Sequence, residues 1–244
     1  MASVSMEFLM SRAPVIPVLA IDAEVDAVAL AHALVDGGLP VLEVTLRTPS
    51  ALAAVTAIAK AVPQAIVGVG TVTRTDQAQA ALDAGAQFMV SPGTTEALLC
   101  AAEQTQLPLL PGVASASELM VAGEAGYRHL KFFPAQSAGG VEALLAWQGP
   151  FAEVRFCPTG GINASNYLAY LELANVLCVG GSWVAPADAM ASADWARIRG
   201  LAAGVSGTRL RPSQSTDSVG DDADRWYSVA GEEDPGSADE DLHH

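Results

Sequence analysis

From Pro14 to about Gly204 the chain alternates two hydrophobic rhythms, a short β-rich run and then an Ala-rich stretch with helical spacing, at intervals of roughly 20 to 25 residues. The runs are "VIPVLA" (15–20), "PVLEVTL" (40–46), "IVGVGTV" (66–72), "QFMVSP" (87–92), "LPLLPGV" (107–113), "HLKFFPA" (129–135), "VRFCPTG" (154–160) and "VLCVGGS" (176–182). Between them lie patterns such as "AEVDAVALAHALVDGG" and "TDQAQAALDAGA", several closed by glycine, a common helix stop. Ser50, Thr75, Thr94 and Ser115 stand where helix caps are expected. Eight strands alternating with eight helices predict a parallel sheet covered by helices. The count and the even spacing favour closure into an α/β (β/α)₈ TIM barrel over an open sheet. Residues 3–11 are expected to form a short helix across the barrel's N-terminal end.

The run "VLEVTLR" complicates a purely apolar strand. Side chains alternate faces along a strand. Leu42, Val44 and Leu46 therefore share one face, while Glu43, Thr45 and Arg47 share the other. In a barrel the second set points inward and climbs toward the C-terminal mouth, where barrel active sites sit.

The chain has only two lysines. Lys60 closes a helical stretch and reads as a surface charge. Lys131 falls mid-strand in "HLKFFPA", on the face of His129 and Phe133. An ammonium is expensive to bury, so Lys131 needs either an ion-pair partner such as Glu43 or a chemical task. The task available to a lysine in a dry site is nucleophilic attack on a carbonyl. Burial favours the neutral amine for that role, and a nearby carboxylate opposes it. Thr71, on the parity of Val67 and Val69, also points inward. Gly160 and Gly161 follow the seventh strand, ahead of a helix expected near Asn163; Gly180, Gly181 and Ser182 follow the eighth. Free backbone N–H groups at those two strand ends, at helix N-termini, form the phosphate site of many barrels. One inward lysine, acid and arginine with an anion cradle suit a small keto acid carrying a phosphate.

Composition narrows the alternatives. Apolar residues make up 51% of 244, enough for one sizeable core. Net charge is −15, which argues against a nucleic-acid partner. No apolar run is long enough to span a bilayer, and no signal peptide is evident, so a cytoplasmic, non-membrane protein is expected. Cys100, Cys157 and Cys178 are odd in number, far apart and set among apolar residues, as reduced core cysteines would be. No Cys/His cluster has zinc spacing. From Val205 onward ten acids face three arginines. This segment, 205–244, is expected to be an acidic low-complexity tail, disordered or loosely attached to a 1–204 barrel, with Trp226 and Tyr227 its only apolar anchor.

"VLEVTLRT", "AIVGVGTV", "GAQFMVSPG", "LPLLPGVASASELM", "KFFPA", "VRFCPTGGI" and "VLCVGGSWV" occur in this order between Pro14 and Arg199. As a set they closely resemble the bacterial 2-keto-3-deoxy-6-phosphogluconate (KDPG) aldolases, class I enzymes that also act as 4-hydroxy-2-oxoglutarate aldolases. The resemblance implies a homotrimer of barrels in the Entner–Doudoroff pathway, cleaving the phosphorylated keto acid to pyruvate and D-glyceraldehyde 3-phosphate with no metal or organic cofactor. It makes Lys131 the Schiff-base former and Glu43 the general acid/base. Arg47 and Thr71 would bind the pyruvate carboxylate, and Thr159 the hydroxyls of the aldehyde half. Gly160, Gly161, Gly181 and Ser182 would line the phosphate end, and Pro92 and Phe133 would wall the pocket. Two other readings fit the same residues: another sugar-phosphate isomerase or epimerase barrel, and a non-catalytic trimeric scaffold. The acidic tail lies outside the family pattern.

Overall fold

A computed structural model describes residues 5–208. Among these residues nine parallel strands and ten helices alternate, except where β5 runs directly into β6 and α9 into α10. The strands are β1 (Val15–Leu19), β2 (Val41–Thr45), β3 (Ile66–Gly70), β4 (Met89–Val90), β5 (Leu109–Leu110), β6 (Gly112–Val113), β7 (His129–Phe132), β8 (Arg155–Pro158) and β9 (Val179–Gly181). The helices are α1 (Met6–Met10), α2 (Ala27–Asp36), α3 (Ala51–Ala61), α4 (Asp76–Asp83), α5 (Glu96–Thr105), α6 (Ala116–Glu124), α7 (Gly140–Trp147), α8 (Tyr167–Leu171), α9 (Ala187–Ala191) and α10 (Trp195–Ser206).

The sheet is parallel and curled, but it is not one continuous eight-stranded ring. One segment runs β5-β4-β3-β2-β1-β9 and a second runs β6-β7-β8. Only the bridges Phe156↔Val176 and Thr159↔Gly180 join the second segment to the strand region that ends in β9. The expected strand 107–113 breaks into β5 and β6 at Pro111, which has no N–H to give to a ladder. The last helical stretch likewise divides into α9 and α10. There Ala193 takes a left-handed φ of 53° and Asp194 caps the new helix at the Arg197 N–H.

Two apolar layers follow from strand parity. Leu42, Val44, Val67, Val69, Leu130 and Phe132 join the helices in the larger core. Val41, Ile16, Val90, Leu110, Cys157 and Cys178, on the opposite face, pack with Phe88, Leu9 and Met10. The expected N-terminal helix is α1. Its two buried residues plug the inner layer, each contributing about 1.5–3 kcal/mol by burial.

Helix caps depart from expectation at one position. Thr95, not Thr94, caps α5 by accepting from the Leu98 N–H. The Thr94 hydroxyl instead donates to the Gly112 carbonyl at 2.8 Å. Ser115 caps α6, whereas Ser50 and Thr75 precede their helices without a side-chain cap bond. Cys100 is exposed, contrary to its expected place in the core; Cys157 and Cys178 are buried. Val205 is buried in α10, so the folded body passes residue 204. The expected tail falls on 209–244 for all but its first four residues, outside the described residues. No helix among the described residues is long and apolar enough to cross a membrane.

Candidate active site

Strand β2 ends at Thr45 after presenting Val41, Glu43 and Thr45 to the interior. The neighbouring β3 places Gly68 beside Glu43 and Gly70 beside Thr45 in register. A β-carbon at Gly70 would collide with the Glu43 carboxylate, so glycine there makes room for the acid. From the other sheet segment β7 brings Lys131, paired in register with Gly112 and Cys157.

Across the interior the Lys131 Nζ donates to Glu43 Oε1 at 3.1 Å, with Oε2 at 3.5 Å. Both residues are almost dry, at 5% and 3% exposure. Nζ also lies 5.4 Å from the centroid of the Phe133 ring. The remaining polar groups stand at the C-terminal ends of the strands. Arg47 donates its Nε–H to Thr45 Oγ1 at 3.1 Å, and the Thr45 hydroxyl donates to the Leu19 carbonyl at 2.8 Å. Thr71 follows β3 with φ of 60°, a left-handed conformation that is strained for a β-branched residue by about 1–3 kcal/mol and is found mainly at functional sites. Thr159 fits against Gly180, where a β-carbon would strike its Oγ1.

These groups line one cavity of about 360 Å³. All eleven residues singled out in the sequence (Glu43, Arg47, Thr71, Pro92, Lys131, Phe133, Thr159, Gly160, Gly161, Gly181 and Ser182) border it. Val18 and Ile162 border it too and were not singled out; Thr45, expected on the inward face, and Gly180, expected in the anion cradle, also border it but were given no individual role. The signal for Thr45 was available: it shares the inward parity that marked Glu43 and Arg47. Val18 and Ile162 carry no chemistry that would have marked them.

The anion cradle is built differently from expectation. The helix expected near Asn163 begins only at Tyr167, and the one after Ser182 only at Ala187. The intervening residues are turns, held by Asn163 Oδ1 accepting from the Ser165 N–H and by the Ala185 N–H donating to the Ser182 carbonyl. Loop amides rather than helix N-termini therefore face this end. Those of Gly161 and Ser182 donate to no acceptor among the described residues. Gly160 and Gly161 have φ of 99° and 78°, a region that favours glycine.

Other reactive groups are not brought here. Burial pushes the Cys178 thiol well above its ordinary range, with the neighbouring Cys157 adding to the effect. A thiol so protonated is a poor nucleophile. His129, at the start of β7, lines a separate cavity of about 650 Å³ with Cys100 and Tyr127. Lys60 is exposed on α3. Among the described residues no group of three or more His, Cys, Asp or Glu could hold a metal ion.

Chemically the site offers an amine next to a base in a dry interior, a guanidinium at its edge and free amides opposite. An amine so placed can condense with a carbonyl while the carboxylate moves protons.

The sequence model for the KDPG and KHG aldolases matches residues 6–201. The KHG/KDPG aldolase of Escherichia coli (strain K12) is 52% identical over 207 residues, covering 84% of this chain and 97% of that one. The KDPG aldolase of Legionella pneumophila, solved with pyruvate captured as a covalent carbinolamine intermediate, superposes with a TM-score of 0.80 at 48% identity. It covers 82% of this chain and 97% of its own. The 2-keto-3-deoxy-6-phosphogluconate aldolase of Zymomonas mobilis ZM4, solved with 3-phosphoglycerate, gives 0.79 at 48% identity, covering 83% and 95%.

Proposed function

The chain belongs to the KDPG and KHG aldolase family, and from this we propose that it is a class I aldolase cleaving 2-dehydro-3-deoxy-6-phospho-D-gluconate to pyruvate and D-glyceraldehyde 3-phosphate. The observation that carries the reading is the buried Lys131–Glu43 contact of 3.1 Å inside a cavity edged by Arg47.

Glu43, the nearest base, takes a proton from the Lys131 ammonium. The freed amine adds to the C2 ketone to give a carbinolamine. Glu43 returns that proton to the carbinolamine hydroxyl, which departs as water, and the iminium left behind is the electron sink for breaking the C3–C4 bond. Glu43, directly or through one water, removes the C4 hydroxyl proton as that bond breaks, and the aldehyde departs. The enamine takes a proton at C3, and hydrolysis returns pyruvate and the free lysine. Arg47 grips the carboxylate with two parallel hydrogen bonds, a geometry a lysine cannot copy. Thr71 assists it, Thr159 contacts the aldehyde hydroxyls, and Pro92 and Phe133 wall the pocket. The amides around Gly160, Gly161, Gly181 and Ser182 take the phosphate. The carbinolamine in the Legionella relative and the 3-phosphoglycerate in the Zymomonas relative support the covalent step and the anion end.

The curled sheet follows the course of an eight-stranded barrel, with its fifth strand split at Pro111 and its two segments joined near β9 only by isolated bridges. The folded body runs on through α10 to Ser206, past the expected boundary at 204, and the acidic segment beyond it takes no part in the chemistry. The protein is a cytoplasmic homotrimer. Cleavage of 4-hydroxy-2-oxoglutarate to pyruvate and glyoxylate accompanies the main activity, as the name of the Escherichia coli relative supports.

Incubation with pyruvate and borohydride tests the central step. Mass spectrometry should find the reduced pyruvate adduct on Lys131. An unmodified Lys131 would leave a proton-shuttling isomerase or a non-catalytic scaffold as the better reading. An aldol-cleavage assay coupled to lactate dehydrogenase then separates those two from an aldolase.

A further inference from the structure

Arg47 lies between two cavities. It borders the 360 Å³ cavity with Lys131, and it also borders a neighbouring space of about 680 Å³ lined in part by Asp22 and Glu24. The residue is exposed, and no carboxylate among the described residues lies within ion-pair distance of it. A long, exposed arginine side chain has much rotamer freedom. Left free, its guanidinium would find the two acids next door as readily as a substrate carboxylate. One contact opposes that: the Nε–H bond to Thr45 Oγ1 at 3.1 Å.

Thr45 is well made for the task. It is 1% exposed and closes β2, so its own position is fixed by the sheet. A threonine hydroxyl has one proton and two lone pairs. Here the proton goes to the Leu19 carbonyl of β1 at 2.8 Å, a group that can only accept. The hydroxyl therefore presents only lone pairs to Arg47, and the direction of the chain Arg47→Thr45→Leu19 is set. Each donor in such a chain polarises the next. With Nε engaged, the guanidinium keeps its terminal nitrogens for a two-pronged grip on a carboxylate.

We propose that Thr45 is a positioning residue that holds Arg47 toward the catalytic cavity and so sets the preference for 2-keto acids over uncharged ketones of the same shape. The proposal rests on the aldolase reading and adds to it a residue that acts through Arg47.

The test measures borohydride trapping on Lys131 as a function of ligand concentration, with pyruvate and with pyruvamide, which replaces the carboxylate by a neutral amide. Thr45→Val should raise the half-saturating pyruvate concentration about tenfold, the effect of one oriented hydrogen bond. It should leave pyruvamide trapping and the maximal extent of labelling unchanged. Thr45→Ser should restore wild-type behaviour, and Thr45→Ala replaces the valine variant if that one does not fold. In an Arg47→Ala background, Thr45→Val should add nothing, because Thr45 acts through Arg47. An unchanged pyruvate curve overturns the proposal. So does an equal loss for both ligands, or a shift that persists without Arg47. Failure of wild-type protein to be trapped at all would instead remove the aldolase reading, and this proposal with it.

Discussion

Lys131 and Glu43 are 88 residues apart in sequence, yet their side chains meet at 3.1 Å in the interior of the sheet. They come from different sheet segments, β7 and β2, and each is desolvated on nearly all sides. Burying both charges is costly, and a pair of this kind is weak evidence for stability as such. Its value is chemical: a nucleophile and a base held within proton-transfer distance where water is scarce.

Lys131→Ala should abolish the pyruvate adduct, and Lys60→Ala should not affect it, since Lys60 is exposed on α3. Removing one partner of a buried pair leaves the other charge unpaired, typically at a cost of about 3–5 kcal/mol. The Lys131 variant should therefore keep its circular dichroism spectrum but melt at lower temperature. Mass spectrometry and a thermal scan check both statements. An adduct persisting in Lys131→Ala would place the nucleophile elsewhere.

Glu43→Gln keeps the shape of the acid but not its proton affinity. Iminium formation should survive, measured as borohydride labelling at long incubation. Turnover should fall by about 10²- to 10⁴-fold, the usual effect of losing a general acid–base group. Near-normal turnover would take Glu43 out of that role.

Gly70→Ala tests the same contact from the backbone side. The added methyl would overlap the Glu43 carboxylate, which must swing off the Lys131 amine to make room. Since misplacing a reacting group by about 1 Å can cost roughly 10²-fold, kcat should fall by a comparable factor. Gly93→Ala is the control, because a β-carbon there meets nothing within 4 Å. Equal kcat values for the two variants would show that the carboxylate is not held where the structure puts it.

How much of this was legible in the sequence depends on the kind of residue. Period-two alternation in "VLEVTLR" and "HLKFFPA" placed Glu43, Arg47 and Lys131 on inward faces, because a strand has no other way to orient them. It could not show that Pro111 would divide one strand into β5 and β6, since the run "LPLLPGV" is apolar throughout. Nor could it place the α8 start. Asn163 and Asn166 are good cap residues, but their side chains build the turn before the helix, Asn166 Oδ1 accepting from the Asn163 N–H. Cys100 looked apolar in its local run, yet its face of α5 turns outward. Helical phase set by tertiary packing decides that, not composition.

His129 gives the protein a pH-dependent stability distinct from the site chemistry. Burial lowers its pKa below the ordinary 6.5; Arg155 adds to the effect and Glu7 opposes it. The unfolded chain then binds the proton more readily than the folded one. Stability should rise with pH across the interval between the lowered folded value and 6.5, and be lost as pH falls below 6.5. Melting temperature measured between about pH 7 and pH 5 should decline less steeply in His129→Gln than in the wild type. Parallel curves would mean that another group dominates acid destabilisation.

At high ionic strength, where long-range charge is screened, truncation after Arg211 should leave kcat and KM unchanged. Every residue that borders the catalytic cavity lies between Val18 and Ser182, and α10, which ends the described helices at Ser206, is retained in the shortened chain. The removed segment, Pro212–His244, carries ten acids and one arginine, so the truncated protein loses nine negative charges. An anionic substrate approaching a less negative protein would be repelled less, and that electrostatic contribution shrinks with added salt. The sensitive comparison is therefore kcat/KM at low ionic strength. A modest rise there that vanishes with salt would mark the tail as a long-range charge, whereas a large fall at any salt would mean that it belongs to the catalytic unit.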